Sequence, residues 1–167
     1  MSAVEAEWVD GSARVRVLLD EHEARILAEV AAQLVALLRE HPDDPAAAAL
    51  FPRGYADDAE QAEFARYTRA DLAERKAAVA ERLAELWSGT SRDADALVVS
   101  LSVQEAWDWL TFCTDLRLVL ADRLAGVEAS DAGEQLAAQG LFDWLAYVQG
   151  SIVDVLAEIE TGPDQHF

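Results

Sequence analysis

A mainly α-helical domain, roughly four helices in bundle-like packing with a small antiparallel β-sheet, is the fold class this sequence predicts. Three observations carry that expectation. Four segments repeat apolar residues at helical spacing, and two of them open with a capping-box pair, Asp20 with Glu23 and Ser102 with Glu105. Asp10-Gly11 sits between two short β-prone runs, and "ALVVSLS" near 97–101 adds a third run of strand length. A chain of 167 residues suits one domain with its own core, here 1–162, followed by a frayed tail at 163–167.

The elements follow in order. "EWVDGSARVRVLLD" alternates Arg14 and Arg16 with Val15 and Val17 after the Asp-Gly turn, which predicts a hairpin ending near Leu19. Asp20 then caps a first helix, with Leu27, Val30, Ala31, Leu34 and Leu38 on one face and Arg25, Glu29 and Arg39 opposite. That helix stops before Pro42. "HPDDPAAAALFPRGYADD" holds three of the four prolines and reads as the longest irregular connection, with a short turn at 46–50. Asp57 or Asp58 caps a second helix at 60–87, whose stripe is Ala65, Leu72, Val79, Leu83 and Leu86. After "SGTSRDAD" comes the third strand, placed beside the hairpin. The third helix, "VQEAWDWLTFCTDLRLVLADRL", is apolar around most of its circumference and is expected at the centre. A last helix at 134–160 buries Leu141, Leu145, Val148, Ile152, Leu156 and Ile159.

Composition excludes several classes of function. The balance of 32 acidic against 13 basic residues, a net charge of −19, repels nucleic acid and anionic membrane surfaces alike. Hydrophobic residues form 52 % of the chain, too many for a disordered acidic tail. A lone cysteine, Cys113, leaves no pair for an internal disulfide or a cysteine-rich zinc site and fits a reducing cytoplasm. The acidic N-terminus does not read as a signal peptide, and no apolar run is long enough for a transmembrane helix. There is no glycine-rich phosphate loop, nucleophile elbow or His-Glu-x-x-His pair, so no catalytic residue, cofactor or metal ligand is assigned.

Asp108, Asp115 and Asp122 are seven residues apart, about 10.5 Å along a helix, too far to share one ion, and read as a solvated stripe. Arg117 falls on the apolar arc with Leu110, Cys113 and Thr114, where a guanidinium needs a carboxylate or several carbonyls from another segment. Trp107 and Trp109 point to different sides of their helix, and Trp109 is retained as a candidate aromatic anchor. Tyr147, Gly150 and Asp154 share the outward face of the last helix, a place for a partner to dock. Basic residues concentrate between Arg66 and Arg92, interleaved with acids that suggest intrahelical pairs such as Asp71 with Arg75.

The least generic stretch is "LFPRGYADDAEQAEFARYTR". Leu50, Phe51 and Pro52 tuck the linker onto the core, and Tyr55 precedes the capping aspartates like a hydrophobic staple. Packing leaves Arg53, Glu63, Arg66, Tyr67 and Arg69 unexplained, a candidate functional rim. Together with "WDWLTFCTDLRLVLADRL" and "LFDWLAYVQGSIVDVL", this block resembles an actinobacterial family of unknown function. Genes of that family tend to lie beside the gene for the Clp protease adaptor that delivers substrates by their N-terminal residue. The resemblance implies a context, regulated proteolysis, and no chemistry.

The expected function is a non-catalytic cytoplasmic interaction or regulatory module whose partner is another protein, the Clp adaptor system being the one the resemblance suggests. Homo-oligomerisation is left open. The alternative is a small-molecule binding protein or enzyme that holds an anionic metabolite in a pocket around Arg53, Arg66 and Arg117.

Overall fold

The computed structural model of the chain describes residues 2–51, 59–88, 91–93, 96–126 and 132–162. Strands β1 (Ala3–Val9) and β2 (Ser12–Leu19) form the N-terminal hairpin. Val9 pairs with Ser12 across a two-residue turn in which Asp10 and Gly11 both have positive φ, 49° and 78°. Glycine adopts that conformation freely and aspartate tolerates it, so the dipeptide sets the register. Strand β4 (Ala96–Ser102) pairs antiparallel with β2, and the short β3 (Ser91–Asp93) adds an edge, giving the order β1-β2-β4-β3. β3 is additional to the three strands expected from sequence.

Alternation divides the sheet into two faces. Val15, Val17, Leu19, Val99 and Leu101 are buried against the helices. On the other face Glu5 lies opposite Arg16 and Glu7 opposite Arg14. Arg14 donates to the Ser100 hydroxyl at 2.7 Å and to the Ser100 carbonyl at 2.8 Å, and that hydroxyl donates to Glu7 at 3.1 Å. The outer face is a charge ladder across three strands.

Helix α1 (Glu21–Glu40) begins with the expected capping box: the Glu23 amide donates to Asp20 at 2.8 Å and the Asp20 amide to Glu23 at 2.9 Å. Glu23 also accepts from the Ser2 amide and hydroxyl, and the Trp144 indole donates to the Ser2 hydroxyl at 2.8 Å. One serine thereby ties the chain's start, α1 and the last helix together. A single turn, α2 (Pro45–Ala48), is capped by Asp44 and buries Ala46 and Ala47. The long helices α3 (Ala59–Ser88), α4 (Val103–Gly126) and α5 (Ala132–Thr161) complete the fold. α4 opens with the Ser102–Glu105 box, at 2.7 and 3.1 Å.

α1 packs on α3, and α4 touches α2, α3, α5 and the sheet, so it is the central helix. The core-facing stripe of α3 differs from the expected one: Ala73, Ala77, Ala80, Leu83 and Trp87 are buried, while Leu72, Val79 and Leu86 are half-buried. α3 is gripped by α1 and α4 together, and the small alanines let those helices approach closely. The proposed caps Asp57 and Asp58, and the tail at 163–167, lie outside the described residues.

Candidate functional site

Aromatic packing joins α3 to α4. Trp109 and Phe112 are fully buried, and Trp87 meets Trp109 edge-on with ring centroids 5.3 Å apart. Trp109 is therefore core, not a surface anchor; it sits on the arc that continues through Phe112, Cys113 and Leu116. Trp107, two residues earlier, is the exposed one. Burial pushes the Cys113 thiol up to about 12, so it stays protonated and inert.

Asp115 overturns the solvated-stripe reading. It is buried, and the Lys76 ammonium donates to both its oxygens, at 2.7 and 3.0 Å. Burial holds the Asp115 carboxyl above its ordinary range, and the Lys76 charge draws back only part of that rise. Asp108 meets Arg82 at 3.2 Å, and Arg39 forks onto Glu74 and Glu81. Two of the segment's basic residues, Lys76 and Arg82, thus pair between helices, both reaching α4.

Arg117 stands about 200° around α4 from Asp115 and faces α5. Of the carboxylate or several carbonyls expected from another segment, it meets one amide carbonyl and a ring: Nη1 donates to the Gln149 side-chain oxygen at 3.0 Å, and the guanidinium lies 4.7 Å from the Phe142 ring centroid. Gln149 donates in turn to the Thr114 hydroxyl at 2.7 Å. An amide oxygen and a π-face hold the cation without a buried anion. Because Asp115 points to α3 and Arg117 to α5, Arg117 lies on the opposite side of α4 from Lys76 and Arg82.

The rim at the start of α3 is split. Glu63, Arg66 and Tyr67 are exposed, Tyr67 at 70 %. Arg69 is accounted for by packing: it lies 4.8 Å from the Phe51 ring centroid and donates to the Pro42 carbonyl at 3.3 Å, fastening the linker to α3. Arg53 and Tyr55 lie outside the described residues.

The outer face of α5 is more continuous. At 100° per residue, Leu136, Gly140, Asp143, Tyr147, Gly150 and Asp154 fall within about 40° of one line along the helix. All six are exposed, Leu136 at 77 % and Tyr147 at 53 %. A Cβ added at Gly140 or Gly150 would meet nothing within 4 Å. Glycine inside a helix costs about 1 kcal/mol relative to alanine, and among the described residues no neighbour requires either one.

A family model described as a domain of unknown function (DUF2017) matches residues 2–156. The chain belongs to the DUF2017 family. No curated protein and no solved structure gives a significant match. Among the described residues of this DUF2017 domain, no helix is long and apolar enough to cross a membrane, and no group of three or more His, Cys, Asp or Glu could hold a metal ion.

Sequence reasoning missed the Lys76–Asp115 pair and Gln149. A signal for the pair existed in this DUF2017 chain: Lys76 shares an arc with Ala73, Ala77 and Ala80, and Asp115 one with Phe112, Leu116 and Val119. Two opposite charges on apolar stripes point to each other.

Proposed function

We propose that this chain is a non-catalytic interaction or regulatory module that engages another protein through the outer face of α5. The observation that carries the reading is the exposed line from Leu136 to Asp154, where Tyr147 stands 53 % exposed and, among the described residues, a Cβ added at either of two helix-interior glycines would meet nothing within 4 Å. A docked helix accounts for all three, because glycine lets a second backbone approach and tyrosine supplies contact area. The resemblance to a family whose genes neighbour the Clp adaptor gene supports a cytoplasmic role in Clp-dependent proteolysis. The anionic-metabolite alternative has less behind it, since Arg117 is engaged by Gln149 and Phe142 of α5.

The test is an affinity pull-down from cytosolic extract at low and high salt, comparing the wild type with Tyr147→Ala and Arg66→Ala. The expected result is a specific partner, a Clp component or its adaptor foremost, that Tyr147→Ala loses. Retention of every partner by Tyr147→Ala, or no specific partner at either salt, overturns the reading.

A further inference from the structure

Resting on that interaction reading, we propose that the occupant of the α5 face is a cationic amphipathic helix of another protein. α5 carries five acids, Glu134, Asp143, Asp154, Glu158 and Glu160, and no lysine or arginine. Two of these acids, Asp143 and Asp154, stand on the exposed line itself, about 16 Å apart along the axis with Tyr147 and Gly150 between them.

The line has the intervals 4-3-4-3-4, which is the spacing of a helix-packing seam. A helix laid along it meets alternating large and absent side chains, Leu136 and Tyr147 as knobs and Gly140 and Gly150 as hollows. Its own contact face must be apolar opposite Tyr147 and Gly150. Lysine or arginine about three turns apart must meet the two aspartates.

Charge rejects the competing occupants. In a symmetric antiparallel pairing of two α5 helices centred between Tyr147 and Gly150, Asp143 of each copy falls opposite Asp154 of the other. A parallel pairing places every acid beside its own copy. With no base on α5, neither arrangement offers a compensating charge. Anionic lipid and nucleic acid meet the same repulsion from a chain of net charge −19.

The experiment titrates the full-length protein by calorimetry with three synthetic peptides. One is a leucine/lysine peptide of helical amphipathic period, the second its leucine/glutamate counterpart, and the third the leucine/lysine composition reordered to strict alternation. The helical cationic peptide is expected to bind, gaining helicity. It should lose at least tenfold in affinity with Tyr147→Ala, and also with Asp143→Asn/Asp154→Asn, which in addition flattens the salt dependence.

A control pair of the same charge change on α1, Glu21→Gln/Glu29→Gln, should alter affinity less than twofold. These two glutamates are exposed on the helix packed against α3. Equal weakening by the two charge pairs reduces the attraction to bulk charge and overturns the proposal. So does equal binding of the acidic or alternating peptide, or self-association by sedimentation that Tyr147→Ala abolishes.

Failure here is separable from failure of the interaction reading. A photo-crosslinker at position 147 that captures an acidic or non-helical segment from extract keeps the docking face and discards the cationic helix. Loss of no partner in Tyr147→Ala discards both.

Discussion

Removing Lys76 tests the load carried by its buried pair. Lys76 and Asp115 have 14 % and 6 % of their side chains exposed, and the ammonium meets both carboxylate oxygens. Lys76→Met leaves the carboxylate unpaired where burial already raises its pKa. Taking one partner from a buried pair costs roughly 3–5 kcal/mol, and protonation of Asp115, at about 1.4 kcal/mol per pH unit above its ordinary 3.8, caps the loss here at about 4.4 kcal/mol near pH 7. For a chain of this size that lowers Tm by roughly 10 °C.

The pH dependence has a definite sign. Without Lys76 the folded carboxyl holds its proton more tightly than the unfolded one, whose ordinary value is 3.8. Stability of the variant therefore rises as pH falls from 7 toward 3.8, by up to about 1.4 kcal/mol per unit, and its deficit against wild type shrinks. Asp115→Asn instead strands an ammonium with some solvent access, at about 3 kcal/mol and with no pH dependence from Asp115. The double variant Lys76→Met/Asp115→Leu, apolar throughout, should return to within about 1 kcal/mol of wild type or exceed it. Urea unfolding at pH 7 and 5, followed by circular dichroism and tryptophan fluorescence, reads all four proteins. Single-variant losses below about 1 kcal/mol, a Lys76→Met deficit that ignores pH, or a double variant worse than both singles would refute the reasoning.

Three further outcomes are expected. Gly150→Ala should raise stability by about 0.5–1 kcal/mol in thermal unfolding, since the new Cβ enters open space on a helix; destabilisation would mean that the site is closed. Asp20→Ala should cost about 1 kcal/mol through loss of the α1 cap. The Glu23 amide holds the Asp20 carboxyl below 3.8, so its contribution is present above that pH and is lost as pH falls through the folded value, which the variant's unfolding curves against pH would show by losing that acid limb. Iodoacetamide at pH 8 should leave Cys113 unmodified in the native protein and alkylate it in urea, with mass spectrometry as the readout, because burial pushes the thiol up to about 12.

Local chemistry made most of the fold legible. Asp10-Gly11 specifies its turn through backbone sterics, and both capping boxes form between residues three apart, so neither depends on distant contacts. The stripes of α1 and α5 were readable because each buries one side. The stripe of α3 is less legible because a helix held between two neighbours buries a wider, alanine-rich arc, and periodicity alone does not say which part of it is deepest.

What the sequence determined by itself was the class of the molecule: an acidic, mainly helical domain with a hairpin-led sheet and an outward face on its last helix. Tertiary structure decided the fate of the charges and aromatics. Asp115 became the buried partner of Lys76 from 39 residues away, Arg117 found one amide carbonyl and a ring on α5, Arg69 closed on Phe51, and Trp109 went to the core. Those outcomes depend on which helix lies opposite which, and a side chain's partner in space is fixed only when packing brings segments distant in sequence to within hydrogen-bonding reach.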